Sequence, residues 1–458
     1  MQSEGLLKDA RLRVGALVGT CFLLGSTGWL AWLYQIANLA EPTAVDLYTM
    51  VFGYFSQAVG IGIYMAVRRK AKRRFIFGSV AVSLLLYVLL LDPATMSSDL
   101  APTLGFGYAA NIACGYFQGH YLTCLAELVV PQGRGIAFGA GYAASTLATW
   151  LLSGIDGGSL TTGGSNLVVC VLLALLAAAC LYSTSTLGES FEAVTIADDS
   201  SLRSLVVLAG LAVVIASLVK NAGFSFPTAD LSGEVDLALS RLFYGAGLIA
   251  AGIVSDRDRR YLTLCCAASL AMPFVMLALS GGGASSIALW ALGYLLFGFF
   301  SVWRVILFAN LAGNSGRMWL AGAGLLLGRL GDVAGTALLF ALGNSTVALV
   351  AVSAALFAAA SFLLFRLYEH MHKATEEVDA GETAFSPLVE FCDEHGLSKR
   401  EQDVLFFLLE GMTNAEISRE LNVTEATTKF HVSNILKKTG CSNRNDVAKL
   451  YNKSLKNH

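Results

Sequence analysis

The sequence predicts an all-α protein: a polytopic bundle of twelve transmembrane helices in two six-helix halves, followed by a small helical domain at the C-terminal end. The 458 residues are 55% hydrophobic and only 14% charged, whereas a soluble globular chain carries about 25% charged residues. The apolar residues are gathered into segments of about 20 residues, the length that crosses a bilayer as a helix. Residues 397–458 are polar instead and carry helix-capping signals.

Twelve segments have the length and composition of membrane-spanning helices. They are 14–34, 47–67, 75–91, 104–127, 135–154, 166–185, 203–220, 237–254, 261–279, 286–308, 318–342 and 346–367. Stretches rich in Gly, Ala and Ser, such as 135–145 and 322–335, favour close helix packing in lipid. The nine cysteines show no metal-ligand spacing, so we expect them to pack as small apolar side chains.

The charged residues between the spans predict the orientation. Cations cluster near the N-terminus (Lys8, Arg11, Arg13), after the second span (68–74) and after the eighth span (257–260). The alternate loops carry the acids Glu41, Asp46, Asp92, Asp99, Asp156, Asp230 and Glu234. The positive-inside rule places the basic loops in the cytoplasm. An even number of spans then puts both termini there.

The C-terminal block reads as a series of capped helices. Ser398 and Glu401 form a capping box that opens the first helix. Thr413 and Glu416 form a second box, and Thr424 is expected to cap the third helix. Gly411 and Gly440 are expected to end the first and third helices. The predicted inward-facing residues are Val404, Leu405, Leu408, Leu409, Ile417, Leu421, Thr428, Val432, Ile435 and Leu436.

The outward face of the third helix is basic. Lys429, Ser433 and Lys437 are spaced i, i+4, i+8 and so form one ridge. Two short helices, the second one basic, outline a helix-turn-helix, whose second helix enters the major groove. The ridge would then face base edges, while Lys437, Lys438 and Arg444, at the end of the helix, would lie near phosphates. A helical hairpin with a solvated charged face is the alternative.

The block resembles the C-terminal DNA-binding domain of LuxR-type regulators. The matching residues are Leu397, Ser398, Arg400, Glu401, Gly411, Thr413, Asn414, Glu416, Ile417, Thr427, Lys429, His431, Asn434, Ile435, Asn443 and Arg444. Ser418 and Thr428 stand where the family usually has Ala and Val. The resemblance implies a four-helix domain that binds double-stranded promoter DNA as a homodimer, with the fourth helix, after Asn443, used for dimerisation. The expected DNA-binding residues are Thr427, Lys429, Phe430, His431, Ser433, Asn434, Lys437, Lys438, Asn443 and Arg444.

The membrane part resembles the major facilitator superfamily, which is built from two six-helix repeats. Gly252, Asp256, Arg257, Arg259 and Arg260 partly match that family's loop motif, whose second glycine is missing here. We expect membrane halves at about 10–188 and 202–368, a cytoplasmic linker at 369–396 and the DNA-binding domain at 397–458. In the linker, 366–378 should continue the last helix, 379–383 should be flexible, and a short helix should begin at Pro387.

Polar side chains within the spans are candidates for ligand binding, because ionisable groups are costly at that depth. The candidates are Gln35, Tyr54, Gln57, Asn111, Gln118, His120, Tyr121, Arg241, Tyr244, Trp303, Arg329 and Asp332. Their chemistry suits a small anionic or aromatic molecule. A structural ion pair between Arg329 and Asp332, and interhelical hydrogen bonds in the fourth span, are the alternatives. Arg304 is expected either to snorkel to the cytoplasmic face or to bind ligand.

These features predict a membrane-embedded one-component transcription regulator in the bacterial inner (cytoplasmic) membrane, surrounded by lipid, with a small-molecule ligand and no cofactor. The alternatives are a transporter of the major-facilitator type with a regulatory DNA-binding tail, and a DNA tether without a ligand. The sequence contains no nucleophile-base-acid constellation, phosphate-binding loop or metal cluster. We therefore do not expect an enzyme.

Overall fold

The computed structural model describes residues 2–91, 98–154, 166–187, 199–223, 237–278, 284–342, 345–385, 387–409, 411–421 and 423–454. Within these ranges the secondary structure is helical, without strands. The chain divides into two compact units, Met1–Glu369 and His370–His458. The finer domain boundaries given above remain predictions.

Thirteen helices run from the N-terminus to the end of the last span in the described part. They are α1 (Gln2–Leu39), α2 (Pro42–Asp46), α3 (Tyr54–Lys70), α4 (Arg73–Leu90), α5 (Leu100–Leu128), α6 (Arg134–Gly154), α7 (Asn166–Ser185), α8 (Asp199–Gly223), α9 (Leu237–Arg257), α10 (Arg259–Ala278), α11 (Ala284–Ser315), α12 (Ala323–Leu342) and α13 (Thr346–Phe385). A π-helical turn, Leu47–Gly53, leads into α3, and a 3₁₀ turn, Met318–Gly322, leads into α12.

Each of the twelve predicted spans falls on one of the long helices α1 and α3–α13. Among the described residues, nine helices are long and apolar enough to cross a membrane. The helices α5, α9 and α10 are not among these nine, although α10 contains a shorter apolar stretch, Arg260–Val275. In α5 the polar residues Asn111, Gln118 and His120 interrupt the apolar run, yet all three are buried.

The most extensively packed helix pairs of the membrane unit meet where small residues let the two backbones approach closely. The first six spans contact the last six through α6 against α9 and α3 against α12. A Cβ atom at Gly252 would lie 2.6 Å from the backbone oxygen of Gly135, so these two helices approach as closely as glycine allows. The predicted role of the stretch 135–145 in close packing is therefore confirmed.

The extension of α13 differs from the prediction. The helix continues through 379–383 to Phe385, where the sequence analysis expected a flexible segment. The residues 373–380 read KATEEVDA, in which Lys, Ala and Glu have high helix propensity and outweigh the single Gly381. One continuous helix therefore runs across the boundary between Glu369 and His370.

The C-terminal unit is a small helical domain with its own apolar core. Its helices are α14 (Pro387–Glu394), α15 (Lys399–Leu409), α16 (Asn414–Glu420), α17 (Glu425–Thr439) and α18 (Arg444–Ser454). The core contains Val404, Leu405, Leu408, Ile417, Ile435 and Val447, with Val432, Leu436 and Leu421 packed against it. The predicted inward faces and the fourth helix are thus confirmed.

One helix of this domain has a larger role than the sequence analysis gave it. The helix α14 was expected to be part of the linker, but its residues Phe391 and Cys392 are buried in the domain core. The ring of Phe391 lies edge-on to Tyr451 of α18 with centroids 5.4 Å apart. The short helix therefore belongs to the folded C-terminal domain.

Candidate nucleic-acid interface and candidate ligand cavity

The helix α17 has well-formed ends. The Thr424 side chain accepts a hydrogen bond from the backbone N–H of Thr427 at 3.2 Å, and Gly440 adopts the left-handed conformation (φ 68°) that closes the helix. On the preceding helix, Thr413 and Glu416 form the predicted capping box. Thr428 and Ile435 are fully buried against the domain core, which fixes the face that α17 presents to solvent.

The solvent face of α17 carries most of the predicted DNA-binding residues. Lys429, Ser433 and Lys437 are exposed, as their spacing predicts. Phe430, next to Lys429 in the sequence, is 62% exposed. Lys429 pairs with Glu425 one turn earlier at 2.9 Å, with both side chains at least half exposed, and such pairs contribute little stability.

Three further predicted residues of α17 are half-buried. The hydroxyl groups of Thr427 and Thr424 are hydrogen-bonded to each other at 2.8 Å. Asn434 and His431 are also partly covered. The Nδ1 atom of His431 is buried and has no hydrogen-bond partner among the described residues. His431 therefore has one unused ring nitrogen beside the exposed ridge.

The remaining three predicted DNA-binding residues have partners inside the domain. Lys438 donates hydrogen bonds to the Glu401 carboxylate at 2.7 Å and to the Gly396 carbonyl at 2.9 Å. Asn443 accepts a hydrogen bond from the backbone N–H of Asp446 at 3.0 Å, which caps α18. Arg444 donates to the Asn414 side chain at 3.4 Å and so links α18 to α16. These contacts stabilise the fold whether or not DNA is present.

Glu401 is the buried acid of this domain. Burial raises the pKa of its carboxyl, but hydrogen bonds from Lys438 and from the backbone and hydroxyl of Ser398 outweigh that effect and lower the pKa to about 2. The Ser398 backbone N–H donates to Glu401 at 2.8 Å, as the predicted capping box requires. Glu401 is therefore ionised at neutral pH.

The membrane unit contains a partly open cavity of about 290 Å³ between its two halves. Polar and aromatic side chains line it, from the first half Phe22, Ser26, Trp29, Tyr54, Gln57, Gln118, Tyr142, Thr146 and Thr149, and from the second half Tyr244 and Arg329. Its volume is near the lower end of the range for small-molecule sites. Five of the predicted ligand residues, Tyr54, Gln57, Gln118, Tyr244 and Arg329, therefore meet at one place.

Stacked rings form the walls of this cavity. The guanidinium of Arg329 lies 4.2 Å from the ring centroid of Tyr54, within the range of a cation–π contact. The ring of Trp29 also stacks on the ring of Tyr54, with centroids 5.1 Å apart. Phe22 and Tyr142 stack at 3.9 Å. The flat faces of aromatic rings therefore form much of the cavity wall.

A charged cluster lies behind Arg329. Asp332 is almost fully buried, and its carboxylate contacts Lys220 at 3.0 Å, Arg304 at 3.4 Å and Arg329 at 3.8 Å. The predicted pairing of Arg329 with Asp332 is thus present, but it is the longest of the three contacts. Arg304 is buried against Asp332, so it does not extend to the surface of the bundle as snorkelling would require.

Other predicted ligand residues lie outside the cavity lining. His120 contacts Tyr64 at 3.1 Å and Cys124 at 3.4 Å in a separate small pocket. The Trp303 indole donates to Thr263 at 3.2 Å. Asn111 lies one layer behind, where it accepts a hydrogen bond from Gln57 at 2.8 Å. Gln35 is half-buried on α1, Tyr121 packs on Phe22 at 5.4 Å, and the side chain of Arg241 lies outside the described residues.

Three residues that were not predicted to be ligand residues, Trp29, Tyr142 and Lys220, help to build the cavity or the charged cluster behind it. Trp29 and Tyr142 lie in apolar spans, where an aromatic residue gives no signal that separates a cavity wall from ordinary packing. Lys220 does give such a signal, because a lysine at the end of an apolar run, within α8, is uncommon enough to note.

Comparisons with known proteins assign the two parts. Residues 395–451 match the family "Bacterial regulatory proteins, luxR family". The same region is 46% identical over 54 residues to the response regulator protein TmoT of Ectopseudomonas mendocina, covering 12% of this chain and 24% of that protein. It is 46% identical over 52 residues to the transcriptional regulatory protein LiaR of Bacillus subtilis (strain 168), covering 11% and 25%. The match therefore spans about a quarter of the length of these relatives.

The membrane unit is similar in fold to a solved transporter. The crystal structure of FucP, a major facilitator superfamily transporter in the outward conformation, superposes with a TM-score of 0.56 and 14% sequence identity, covering 79% of this chain and 99% of that chain. At this identity the likeness shows the fold and not the activity. The C-terminal residues 395–451 are thus a LuxR-family helix-turn-helix domain, joined in one chain to a multipass membrane unit with the major facilitator fold.

Proposed function

We propose that this protein is a membrane-embedded one-component transcription regulator, in which a small molecule bound in the membrane unit controls sequence-specific DNA binding by the C-terminal domain. The observation that carries the proposal is the presence in one chain of a LuxR-family domain and a membrane bundle with a cavity lined by polar and aromatic side chains. The protein would act as a sensor and regulator, not as a catalyst.

The distribution of cations supports a cytoplasmic location for both termini. Arg13 donates to the Ser183 carbonyl at 3.2 Å, and Arg73 donates to the Leu187 carbonyl at 2.9 Å. These contacts gather the basic N-terminal segment and the basic loop after α3 at one end of the bundle. By the positive-inside rule that end faces the cytoplasm of a bacterial inner membrane, where DNA is available to the tail.

The DNA-binding step would use the solvent face of α17. Lys429, Phe430 and Ser433 would contact base edges in the major groove, and Lys437 would contact a phosphate. LuxR-type domains bind paired half-sites, so two copies of the chain would dimerise through their C-terminal domains. Membrane confinement raises the effective concentration of the two domains, and their geometry would then decide whether they pair.

A second candidate is a transporter with a regulatory tail. The fold of the membrane unit and the cavity between its halves favour it. The incomplete loop motif weighs against it. The motif that begins at Gly252 lacks its second glycine, and the equivalent loop in the first half keeps only the cations of the motif.

The test is promoter occupancy by the full-length protein in its membrane. Chromatin immunoprecipitation should recover discrete DNA sites, which a Lys429→Ala/Lys437→Ala variant loses and a control variant, Lys399→Ala at an exposed lysine of α15, retains. Transcripts from genes beside those sites should change when Gln57 and Gln118 are replaced by leucine in the cavity. Recovery of no enriched sites, together with uptake of a substrate into vesicles, would favour the transporter instead.

A further inference from the structure

Three buried polar atoms at the cavity have no partner among the described residues. They are Gln57 Oε1, Gln118 Oε1 and Arg329 Nε. The amide nitrogens of the two glutamines are already used, Gln57 on Asn111 at 2.8 Å and Gln118 on Cys114 at 3.3 Å. The cavity therefore offers two unused acceptors on α3 and α5 and one unused donor on α12, and buried polar groups are normally satisfied.

The charges next to the cavity are unbalanced. Among the described residues, Asp332 is the only carboxylate paired with the three cations Lys220, Arg304 and Arg329. The side chains of all four are at least 85% buried. Buried charges at bilayer depth are normally paired, so an excess of cations calls for a further anion.

The position of Arg329 shows where that anion would bind. Of the three cations, only Arg329 lines the cavity, and it has the longest contact with Asp332, at 3.8 Å. Its guanidinium carbon lies 4.2 Å from the centroid of the Tyr54 ring, and its Nε has no hydrogen-bond partner among the described residues, so this nitrogen can donate to a carboxylate. Lys220 and Arg304 instead rest near the Phe297 and Phe300 rings.

The aromatic residues of the lining determine which ligand scaffold the cavity accepts. Trp29 and Tyr54 are stacked on one wall, and Phe22 and Tyr142 are stacked on another. A flat ring fits against such surfaces by offset stacking. A cavity of about 290 Å³ holds a molecule of one or two rings.

We propose that the cavity binds a small aromatic carboxylate that also carries a hydrogen-bond donor. The carboxylate would pair with Arg329, the ring would lie among Trp29, Tyr54 and Tyr142, and the donor would reach Gln57 or Gln118. This inference names the effector class and so rests on the proposed function. The binding itself is nonetheless measurable without any transcriptional readout.

The experiment measures binding to the full-length protein in lipid nanodiscs by calorimetry. The probes are 4-hydroxybenzoate, 4-hydroxyphenylacetate, anthranilate and indole-3-acetate, each compared with its neutral amide. At least one acid should bind at least tenfold more tightly than its amide. Arg329→Gln should abolish that preference, and Arg329→Lys should restore part of it. The matched control is Arg366→Gln, which replaces an exposed arginine of α13 and should leave binding unchanged.

Two further variants keep the test decisive where Arg329→Gln does not fold. Gln57→Leu and Gln118→Leu are measured separately, and in one of them the advantage of 4-hydroxybenzoate over benzoate should fall at least fivefold, because the ring donor loses its acceptor; no fall in either variant overturns the role of the two amides. Equal affinity for acids and amides, or no binding by any acid at 5 mM, overturns the inference. Tight, Arg329-dependent binding with no effect on promoter occupancy would instead overturn the proposed function and leave the ligand class standing.

Discussion

Lys220 of α8 donates a hydrogen bond to the carboxylate of Asp332 of α12 across 3.0 Å, joining two helices that are 112 residues apart in the sequence. Asp332 also contacts Arg304 of α11 at 3.4 Å. One buried acid therefore ties three helices of the second half together. Because the acid is shared, its loss would leave several buried cations unpaired at once.

We expect Asp332→Asn to destabilise the membrane unit by about 3–5 kcal/mol, the cost of leaving buried charges without their partner. The measurement is unfolding of the purified protein in mixed micelles. A Lys220→Met/Asp332→Asn double variant should lose less than the sum of the single variants, because the second change removes one of the stranded charges. Glu369→Gln, which removes an exposed pair with Arg366, is the control and should cost about 0–1 kcal/mol. Strict additivity would contradict the coupling.

The acid dependence of the C-terminal domain should come largely from Glu401. Its folded-state pKa of about 2 lies below the ordinary glutamate value, so its stabilisation is complete above about pH 5. That stabilisation, about 3 kcal/mol, is lost as the pH falls towards 2. Urea unfolding of residues 387–458 from pH 7 to pH 2 should show this loss, and Glu401→Gln should show much less of it.

Lys438 supplies the matching control for that experiment. Lys438→Met removes the cation that pairs with Glu401 and should lower the free energy of unfolding at pH 7 by about 1–2 kcal/mol. Lys437→Met changes the neighbouring exposed residue and should have little effect. If both lysine variants unfold alike, the contact at 2.7 Å contributes nothing measurable.

Local signals in the sequence were enough to predict the C-terminal domain. A capping box such as Thr413 with Glu416 closes within four residues, and an apolar stripe such as Val432 with Ile435 repeats within one turn. The long apolar runs that mark the spans are equally local. These elements could therefore be read before any tertiary contact was known.

The cavity depends on the direction in which each side chain points from its helix, and the sequence alone did not predict these directions. Gln118 and His120 are two residues apart on α5, a rotation of about 200°, so they face opposite sides of the helix. Gln118 consequently lines the cavity while His120 points to Tyr64 and Cys124. The pairing of Lys220 with Asp332 could not be predicted from the sequence either, because it joins helices that are far apart in the chain.

Lys429 should contribute to base readout. We expect Lys429→Ala to weaken binding of the selected operator by about 1–3 kcal/mol and to relax sequence preference at one position. Lys437→Ala should weaken all sequences alike and reduce the salt slope by about one unit. Fluorescence anisotropy across a salt series, with Lys399→Ala of α15 as control, measures both. Equal losses on every sequence for both variants would show that the assigned docking of α17 is wrong.

Phe430 should read a thymine methyl group. Its ring is 62% exposed beside Lys429 on the face that would enter the major groove, where the methyl group of thymine is the apolar feature. Replacing operator thymines singly by deoxyuridine should lower wild-type affinity about tenfold or less at one position. The Phe430→Ala variant should not distinguish the two bases there. A wild-type domain indifferent to every such replacement would remove this role from Phe430.

The continuous helix α13 should carry the signal from the membrane unit to the DNA-binding domain. It runs without a break from Thr346 to Phe385, across the boundary between the two units. A ligand shifts a conformational equilibrium only by its differential affinity for the two states, so the states must differ at the tail. We expect an insertion of ten Gly/Ser residues after Asp379 to abolish the effect of the ligand on transcription, because it interrupts the continuous helix. DNA binding by the isolated C-terminal domain should stay unchanged.

A helical insertion is the matched control for that prediction. Seven residues of the sequence EAAAKEA after Asp379 add nearly two whole turns and rotate the tail by only about 20°. This insertion should preserve much of the ligand response, because it keeps both the stiffness and the phase of the helix. A four-residue insertion of AAKE, which rotates the tail by about 40°, should fall between the two. If the Gly/Ser insertion leaves the full response in place, coupling through α13 is excluded, and the signal must pass by a contact that does not need a rigid helix.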